Sequence, residues 1–235
     1  METDTRRVLV TGASQGIGLA LVRHFLAQGH QVVGVARGEA TLAAERYLHV
    51  QGDVSSEPDV AALFAEVRAR LGGLDALVNN AGLASMNQVA LMPYDAARRI
   101  VEVNLLGVFL CTRAGIRVLR HSPAGRIVNL TTVAVPLRLE GEAMYAASKS
   151  AVEEFTRVVA REVGGLGITC NAVGPGPVRT RLTAKVPERL LDALVKRQAI
   201  PRWSTEADVI NVVDFFLSPA SGMITGQVVY LGGIG

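Results

Sequence analysis

Short apolar runs alternate along the 235-residue chain with segments of helical periodicity. Each run is rich in Val, Ile or Leu, and the runs fall at 8–10, 31–35, 74–78, 126–130, 168–173 and 227–231. Runs with so little polar alternation are typical of strands buried on both faces, as in a parallel sheet. This order of strand and helix predicts a doubly wound α/β fold with helices on both faces of the sheet.

The segments between these runs place apolar residues at the spacing of a helical stripe. Helices are predicted at 16–28, 57–70, 145–163, 187–197 and 205–217. Residues 94–119 are predicted to form either two helices or one bent helix. Because no linker or repeat interrupts the pattern, we expect one domain over 1–235. We also expect an insertion around 179–204 to cover the substrate.

Composition excludes several classes of protein. With 49% hydrophobic and 19% charged residues, the chain favours a compact globule over a disordered one. The net charge of +3 comes from scattered basic pairs, so we expect no nucleic-acid partner. No apolar run approaches a membrane span or a signal peptide, and Cys111 and Cys170 match no metal or redox spacing. We therefore expect a cytoplasmic protein with buried, reduced thiols and no bound metal.

A glycine-rich turn joins the first predicted strand to the first predicted helix. Residues 8–18 read Val-Leu-Val-Thr-Gly-Ala-Ser-Gln-Gly-Ile-Gly. Gly12 lets the chain turn off the strand, Gly16 allows a phosphate to approach the backbone, and Gly18 lets the helix pack against the sheet. A purely structural turn is the alternative. The strand before and the helix after favour a dinucleotide site at the positive end of the helix.

Tyr145 and Lys149 stand four residues apart in a predicted helix and so share one of its faces. Such a pair is usually an exposed surface feature. Beside a nicotinamide site it indicates proton transfer instead, because an ammonium group stabilises tyrosinate and lowers the ordinary tyrosine pKa of about 10.

Six motifs that resemble those of the short-chain dehydrogenases/reductases occur in the family's order along nearly the whole chain. They are residues 11–18, Asp53-Val54, residues 79–82, Asn104, residues 145–149 and residues 175–180. The resemblance is to the ordinary, non-extended branch, and the 3-oxoacyl reductases are the nearest subgroup. It implies a Rossmann-type sheet of about seven parallel strands.

The resemblance also assigns a catalytic tetrad to this chain, formed by Asn104, Thr132, Tyr145 and Lys149. Tyr145 is the implied general acid or base, and Lys149 also binds the nicotinamide ribose. Thr132 aligns where relatives carry serine, so its hydroxyl is expected to polarise the substrate oxygen in a reshaped pocket. Asn104 matches the asparagine whose helix carbonyl holds a water of the proton relay; a simple bend of the helix at Asn104 and Gly107 is the other reading.

The cofactor is predicted to be NADP, with NAD left open. Ala36 stands where NAD enzymes carry an acid, and Arg37 follows with a guanidinium suited to a 2′-phosphate. Gln15 departs from the basic residue that NADP-preferring relatives often carry. The residues expected to bind the cofactor are Gly12, Ser14, Gln15, Gly16, Ile17, Gly18, Arg37, Asp53, Val54, Asn80, Ala81, Gly82, Tyr145, Lys149, Pro175, Gly176, Val178 and Thr180.

The substrate is expected to be a carbonyl compound or secondary alcohol with a moderately apolar body. Its walls are predicted at 83–88, 133–144 and 179–204, and the polar candidates there are Arg138, Glu140, Arg181 and Arg202. Both a simple ketone and a 3-oxoacyl thioester fit, although Thr132 and the turn at 164–167 depart from thioester reductases. A non-catalytic NADP-binding sensor is the alternative function. The family implies a homotetramer, or a homodimer.

Overall fold

A computed structural model describes residues 5–180, 183 and 186–234. Within them, seven parallel strands form one sheet in the order β3-β2-β1-β4-β5-β6-β7. The strands are β1 (Arg7–Thr11), β2 (Gln31–Ala36), β3 (Tyr47–Gln51), β4 (Ala76–Asn79), β5 (Arg126–Leu130), β6 (Thr169–Gly174) and β7 (Val228–Tyr230). The strand order reverses between β1 and β4, and ligands of doubly wound folds bind at that point, beyond the carboxyl ends of the strands.

Helices cover both faces of the sheet, as the sequence predicts. They are α1 (Gly16–Ala27), α2 (Glu57–Leu71), α3 (Tyr94–Val101), α4 (Gly107–Leu119), α5 (Ala134–Leu137), α6 (Ala143–Val163), α7 (Glu188–Lys196) and α8 (Glu206–Leu217). One buried apolar cluster joins β-strands to α2, α4 and α6, and a second joins them to α1 and α8. Cys111 and Cys170 lie in the first cluster as free thiols, in agreement with the prediction.

The apolar runs identify six of these strands and miss β3. Its residues are half-buried or exposed because β3 forms the edge of the sheet. It therefore carries polar residues such as His49 and Gln51, and no continuous apolar run marks it. Only the family resemblance gives the count of about seven.

The long helical region 94–119 is two α-helices joined without a break. A π-helical segment, Glu102–Leu106, links α3 to α4 and contains Asn104. Gly107 follows, and a Cβ there would lie 2.9 Å from a methyl group of Val54. A π-bulge of this kind bends a helix locally and often marks a functional site.

Candidate active site

The glycine turn between β1 and α1 has the conformation that its glycines permit. Gly12 has a φ of +69°, and a Cβ on it would lie 2.9 Å from Ala81 Cα. A Cβ on Gly18 would collide with the Gly12 carbonyl, so α1 reaches the sheet only with glycine there. The first turn of α1 carries no acidic residue, which leaves its amide groups and positive end for an anion.

A long cleft of about 650 Å³ runs from this turn across the carboxyl ends of the central strands. Most of the predicted cofactor residues line it together: Gly12, Ser14, Gln15, Gly16, Ile17, Arg37, Asp53, Val54, Asn80, Ala81, Gly82 and Thr180. We call this space the long cleft. Its size is within the range of ligand sites in proteins.

A smaller inner pocket of about 160 Å³ adjoins the long cleft. Thr132, Tyr145, Lys149, Pro175, Gly176 and Val178 line it. The two spaces share wall residues, among them Ile17, Asn80 and Thr180. Two predicted site residues line neither space: Gly18 packs under the turn, and Asn104 is fully buried behind the inner pocket.

Asn80 and Thr11 hold the floor of the long cleft. Asn80 Nδ2 donates to the Thr11 carbonyl at 2.8 Å, and the backbone amides of Asn80 and Ala81 each donate to Thr11 Oγ1 at 3.0 Å. Asn79 Nδ2 joins β4 to β5 and α4 by donating hydrogen bonds to Asn129 Oδ1 and Thr112 Oγ1. These bonds fix the ends of β1 and β4 relative to each other.

Asp53 is already engaged with neighbouring donors. Its carboxylate accepts from the Ser55 amide at 2.9 Å and from Ser55 Oγ at 2.6 Å, and it forms an ion pair with Arg99. Burial opposes ionisation, but these partners outweigh it and lower the Asp53 pKa. Arg99 itself lines the long cleft. The sequence carries no signal for this pair because 46 positions separate the two residues.

Lys149 and Thr132 line the inner pocket together with Tyr145. Lys149 Nζ donates to the Leu130 carbonyl at 2.7 Å, and the Thr132 hydroxyl accepts from the Ala134 amide at 3.2 Å. Against the larger effect of burial, the Thr132 hydroxyl acts to lower the Tyr145 pKa, so it lies near the phenol group. The chain at the end of β5 thus presents both a carbonyl to the lysine and a hydroxyl to the tyrosine.

Burial dominates the ionisation of both residues. It raises the pKa of Tyr145 to about 12, against the opposing hydrogen bond from Thr132, and lowers the pKa of Lys149 to about 8. In the cofactor-free chain, burial thus acts against the lowering of the tyrosine pKa that was expected from Lys149. The Lys149 ammonium donates to the Leu130 carbonyl instead.

Comparison with known proteins identifies the family. The model of a family described as enoyl-(acyl carrier protein) reductase matches residues 12–233. An uncharacterized oxidoreductase of Mycobacterium bovis is 33% identical over 96% of this chain and 94% of its own length. A 3-oxoacyl-[acyl-carrier-protein] reductase of Vibrio cholerae is 32% identical over 99% of this chain and 98% of its own length. The chain belongs to the short-chain dehydrogenase/reductase family.

A solved structure supports the same assignment. The ligand-free aldohexose dehydrogenase of Thermoplasma acidophilum has a TM-score of 0.91 and 28% identity, covering 99% of this chain and 95% of that one. This short-chain dehydrogenase/reductase is thus an oxidoreductase that acts on CH–OH or C=O groups with a nicotinamide cofactor. The Vibrio cholerae and Thermoplasma acidophilum relatives are named for different substrates, so family membership does not identify this chain's own.

The walls of the inner pocket agree with the prediction only in part. Val133, Leu139, Leu191 and Leu194 are apolar wall residues, as expected. Three of the four predicted polar candidates, Arg138, Glu140 and Arg202, do not line it. Arg138 and Glu140 are exposed, Arg202 is paired with Asp208, and Arg181, like the predicted wall residue Leu182, lies outside the described residues.

Glu142 is the polar wall residue that sequence reasoning missed. It lies three residues before Tyr145 and lines the inner pocket. Glu142 falls within the predicted wall 133–144, but the predicted helix begins at Tyr145, so no signal in the sequence places Glu142 beside the tyrosine.

Among the described residues, no group of three or more His, Cys, Asp or Glu side chains could hold a metal ion. No helix in that part of the chain has the length and apolar character of a membrane span.

Proposed function

We propose that this chain catalyses NADPH-dependent reduction of a ketone, and the reverse oxidation of a secondary alcohol, with Tyr145 as general acid or base. One observation carries the proposal. Tyr145, Thr132 and Lys149 line a pocket whose wall residues Ile17 and Asn80 also line the long cleft. A substrate in the inner pocket would therefore adjoin the reactive end of a dinucleotide bound in the cleft.

The long cleft fits a dinucleotide. The close approach of Gly12 to Ala81 leaves no room for a side chain over the turn, and α1 presents its positive end there for a pyrophosphate. The amides of the turn at Ser14, Gly16 and Ile17 would hold the phosphates, and Lys149 the nicotinamide ribose. When bound, the cofactor supplies or accepts a hydride.

Two features of the long cleft favour NADP over NAD. In the described chain, Asp53 is the only carboxylate in the lining, and its ion pair with Arg99 makes it a poor acceptor for a ribose hydroxyl. Arg37 is exposed at the carboxyl end of β2, where a 2′-phosphate would meet its guanidinium.

The proton chemistry belongs to residues of the inner pocket. Tyr145 Oη donates its proton to the substrate oxygen in reduction and accepts it back in oxidation. The Thr132 hydroxyl donates a hydrogen bond to the same oxygen and stabilises developing negative charge. Lys149 holds a positive charge behind the tyrosine and is positioned by the Leu130 carbonyl. These roles require both Tyr145 and Lys149, whose joint presence in one pocket counts against a non-catalytic sensor.

A 3-oxoacyl thioester is the second candidate substrate. The Vibrio cholerae relative, named for that activity, aligns over 99% of this chain. The Thermoplasma acidophilum relative, named for an aldohexose, supports a small polyhydroxy substrate equally well. The threonine at position 132 and the Gly164–Leu166 turn depart from thioester reductases, so we place the free ketone first.

We also propose that the chain assembles as a homotetramer or homodimer. Leu106 at the end of the π-helical segment, Phe109 on α4 and Val158 on α6 are apolar and exposed, and Phe155 packs edge-on against Phe109. Two copies of this face would bury one another about a two-fold axis. Light scattering at micromolar concentration tests the assembly, and a monomeric mass would contradict it.

An activity panel tests the proposed function. The purified chain is assayed with NADPH and with NADH against simple ketones, sugars, steroids and 3-oxoacyl thioesters. We expect ketone-dependent oxidation of NADPH with a higher kcat/KM than for NADH. Binding of NADPH with no turnover of any carbonyl would instead support the sensor function, and a large preference for NADH would refute the role of Arg37.

A further inference from the structure

Glu142 lines the inner pocket from the position just before α6. Glu142 is the N-cap residue of that helix, yet its side chain accepts no capping hydrogen bond. Its backbone carbonyl accepts from Ala146 at 2.7 Å, which starts the helix without help from the carboxylate. Within the described chain, the carboxylate has no hydrogen bond or ion pair, so its acceptor capacity is unused.

The surroundings make that unused capacity costly. Glu142 is half-buried, and burial raises its pKa. The neighbouring wall is apolar at Leu139, Leu191 and Leu194. Lys149 is the one basic residue in the described lining, and its ammonium donates to the Leu130 carbonyl. A half-buried carboxylate set in an apolar wall is only partly hydrated, so the site would favour a substrate that brings a donor to it.

The position of Glu142 defines where such a donor would lie. Residues three apart on a helix have Cβ atoms about 5–6 Å from each other on one face. Glu142 stands at the N-cap, three residues before Tyr145, and both line the inner pocket. Besides burial, the charge of Glu142 raises the Tyr145 pKa, which indicates that the two side chains lie near each other. A molecule whose oxygen meets Tyr145 would therefore present its next one or two carbon atoms to Glu142.

We infer that Glu142 determines substrate specificity by accepting a hydrogen bond from a donor group on the carbon beside the reacting carbon. This inference rests on the proposed function and identifies its substrate class: an α-hydroxy ketone or a vicinal diol, or the corresponding amino compound. The shared chemistry is a hydrogen-bond donor next to the C=O or CH–OH group.

The same carboxylate disfavours a 3-oxoacyl thioester. Such a substrate offers two carbonyl oxygens near the reacting carbon, and both are acceptors. A carboxylate facing a second acceptor leaves both without a partner, which costs binding energy. Glu142 would thus favour a substrate with a donor beside the reacting carbon over a 3-oxoacyl thioester, a choice that family membership leaves open.

Matched substrates and variants test the inference. Cyclohexanol, trans-1,2-cyclohexanediol and trans-2-aminocyclohexanol differ only in the group beside the reacting carbon. The wild type, Glu142→Leu and Glu142→Gln are assayed on all three with NADP⁺. Glu140→Gln is the control, because Glu140 is exposed two residues away and does not line the pocket.

We expect the wild type and Glu140→Gln to prefer a donor-bearing compound by roughly tenfold or more in kcat/KM, and Glu142→Leu to lose that preference. Glu142→Gln keeps an acceptor but no charge. Glu142→Gln should therefore reduce the preference for the diol over cyclohexanol slightly, and the preference for the amino alcohol strongly. Comparing the two losses identifies which donor group depends on the charge of Glu142. The diol should also raise the melting temperature of the wild-type NADP⁺ complex and leave that of Glu142→Leu unchanged.

Equal kcat/KM for cyclohexanol and its donor-bearing analogues in the wild type would overturn the inference, as would a preference that survives in Glu142→Leu. In both cases the turnover of cyclohexanol leaves the proposed function standing. Absence of turnover with every alcohol and ketone, despite cofactor binding, would defeat the proposed function itself.

Discussion

Asn104 donates a hydrogen bond from Nδ2 to the Oγ of Ser148, 3.0 Å away. Ser148 Oγ in turn donates to the Tyr145 carbonyl at 2.7 Å. Asn104 also accepts from the Leu83 amide at 2.8 Å and donates to the Leu83 carbonyl at 2.9 Å. One buried amide therefore joins the π-helical segment to the loop after β4 and to the first turn of α6, which holds the tyrosine.

Asn104→Ala should destabilise the protein because it leaves the amide and carbonyl of Leu83 without their partner. We expect a loss of about 1–3 kcal/mol in the free energy of unfolding, measured by urea denaturation. The control is Asn211→Ala on the exposed side of α8, with an expected change within about 0.5 kcal/mol. Equal stability of Asn104→Ala and wild type would show that Asn104 does not hold these segments together.

Thr132→Val should lower kcat/KM by roughly 100-fold, because it removes the hydroxyl donor to the substrate oxygen while keeping the shape of the side chain. Thr132→Ser keeps that hydroxyl, so its kcat/KM should stay within about tenfold of the wild type. Steady-state assays with one ketone compare the three proteins. An unchanged kcat/KM in Thr132→Val would remove Thr132 from the mechanism.

Arg37→Ala should reduce kcat/KM for NADPH by roughly tenfold and leave that for NADH unchanged, because one charge-assisted contact to the 2′-phosphate is lost. Arg68→Ala, an exposed substitution on α2, is the matched control for loss of a positive charge. If Arg37→Ala affected both cofactors equally, Arg37 would be contributing to the fold or to adenine stacking instead.

The buried lysine predicts a pH dependence of stability. Burial lowers the Lys149 pKa from 10.5 to about 8, so between these pH values the unfolded chain binds more protons than the folded one. The stability contributed by this group therefore rises with pH across that window. Between about pH 7.5 and about pH 9.5, the cofactor-free wild type should gain about 2 kcal/mol relative to Lys149→Met.

Lys196→Met controls for the loss of a lysine, because Lys196 is exposed on α7. Comparing variants at each pH cancels the cysteine and tyrosine titrations, which all three proteins share. Parallel pH profiles for wild type and Lys149→Met would mean that Lys149 keeps an ordinary pKa in the folded chain.

The features that the sequence predicts correctly are those that depend on residues close together in the chain. The glycine turn and the four-residue spacing of Tyr145 and Lys149 depend on neighbours in the chain, so both are visible in the sequence. The pairing of Asp53 with Arg99 depends on how α3 packs, and the exposure of Glu142 to the inner pocket depends on how α6 begins. The raised tyrosine pKa depends on burial, which the spacing of Tyr145 and Lys149 does not reveal.

The central claim is that Tyr145 transfers the proton. Tyr145→Phe tests it most directly, because only the phenol oxygen is removed. We predict that Tyr145→Phe lowers kcat for ketone reduction by about 10²–10⁴-fold and leaves NADPH binding and the melting temperature unchanged. The control is Tyr94→Phe, at a residue that is 79% exposed, and its kcat should match that of the wild type. Reduction by Tyr145→Phe at a rate within a few-fold of the wild type would contradict the account.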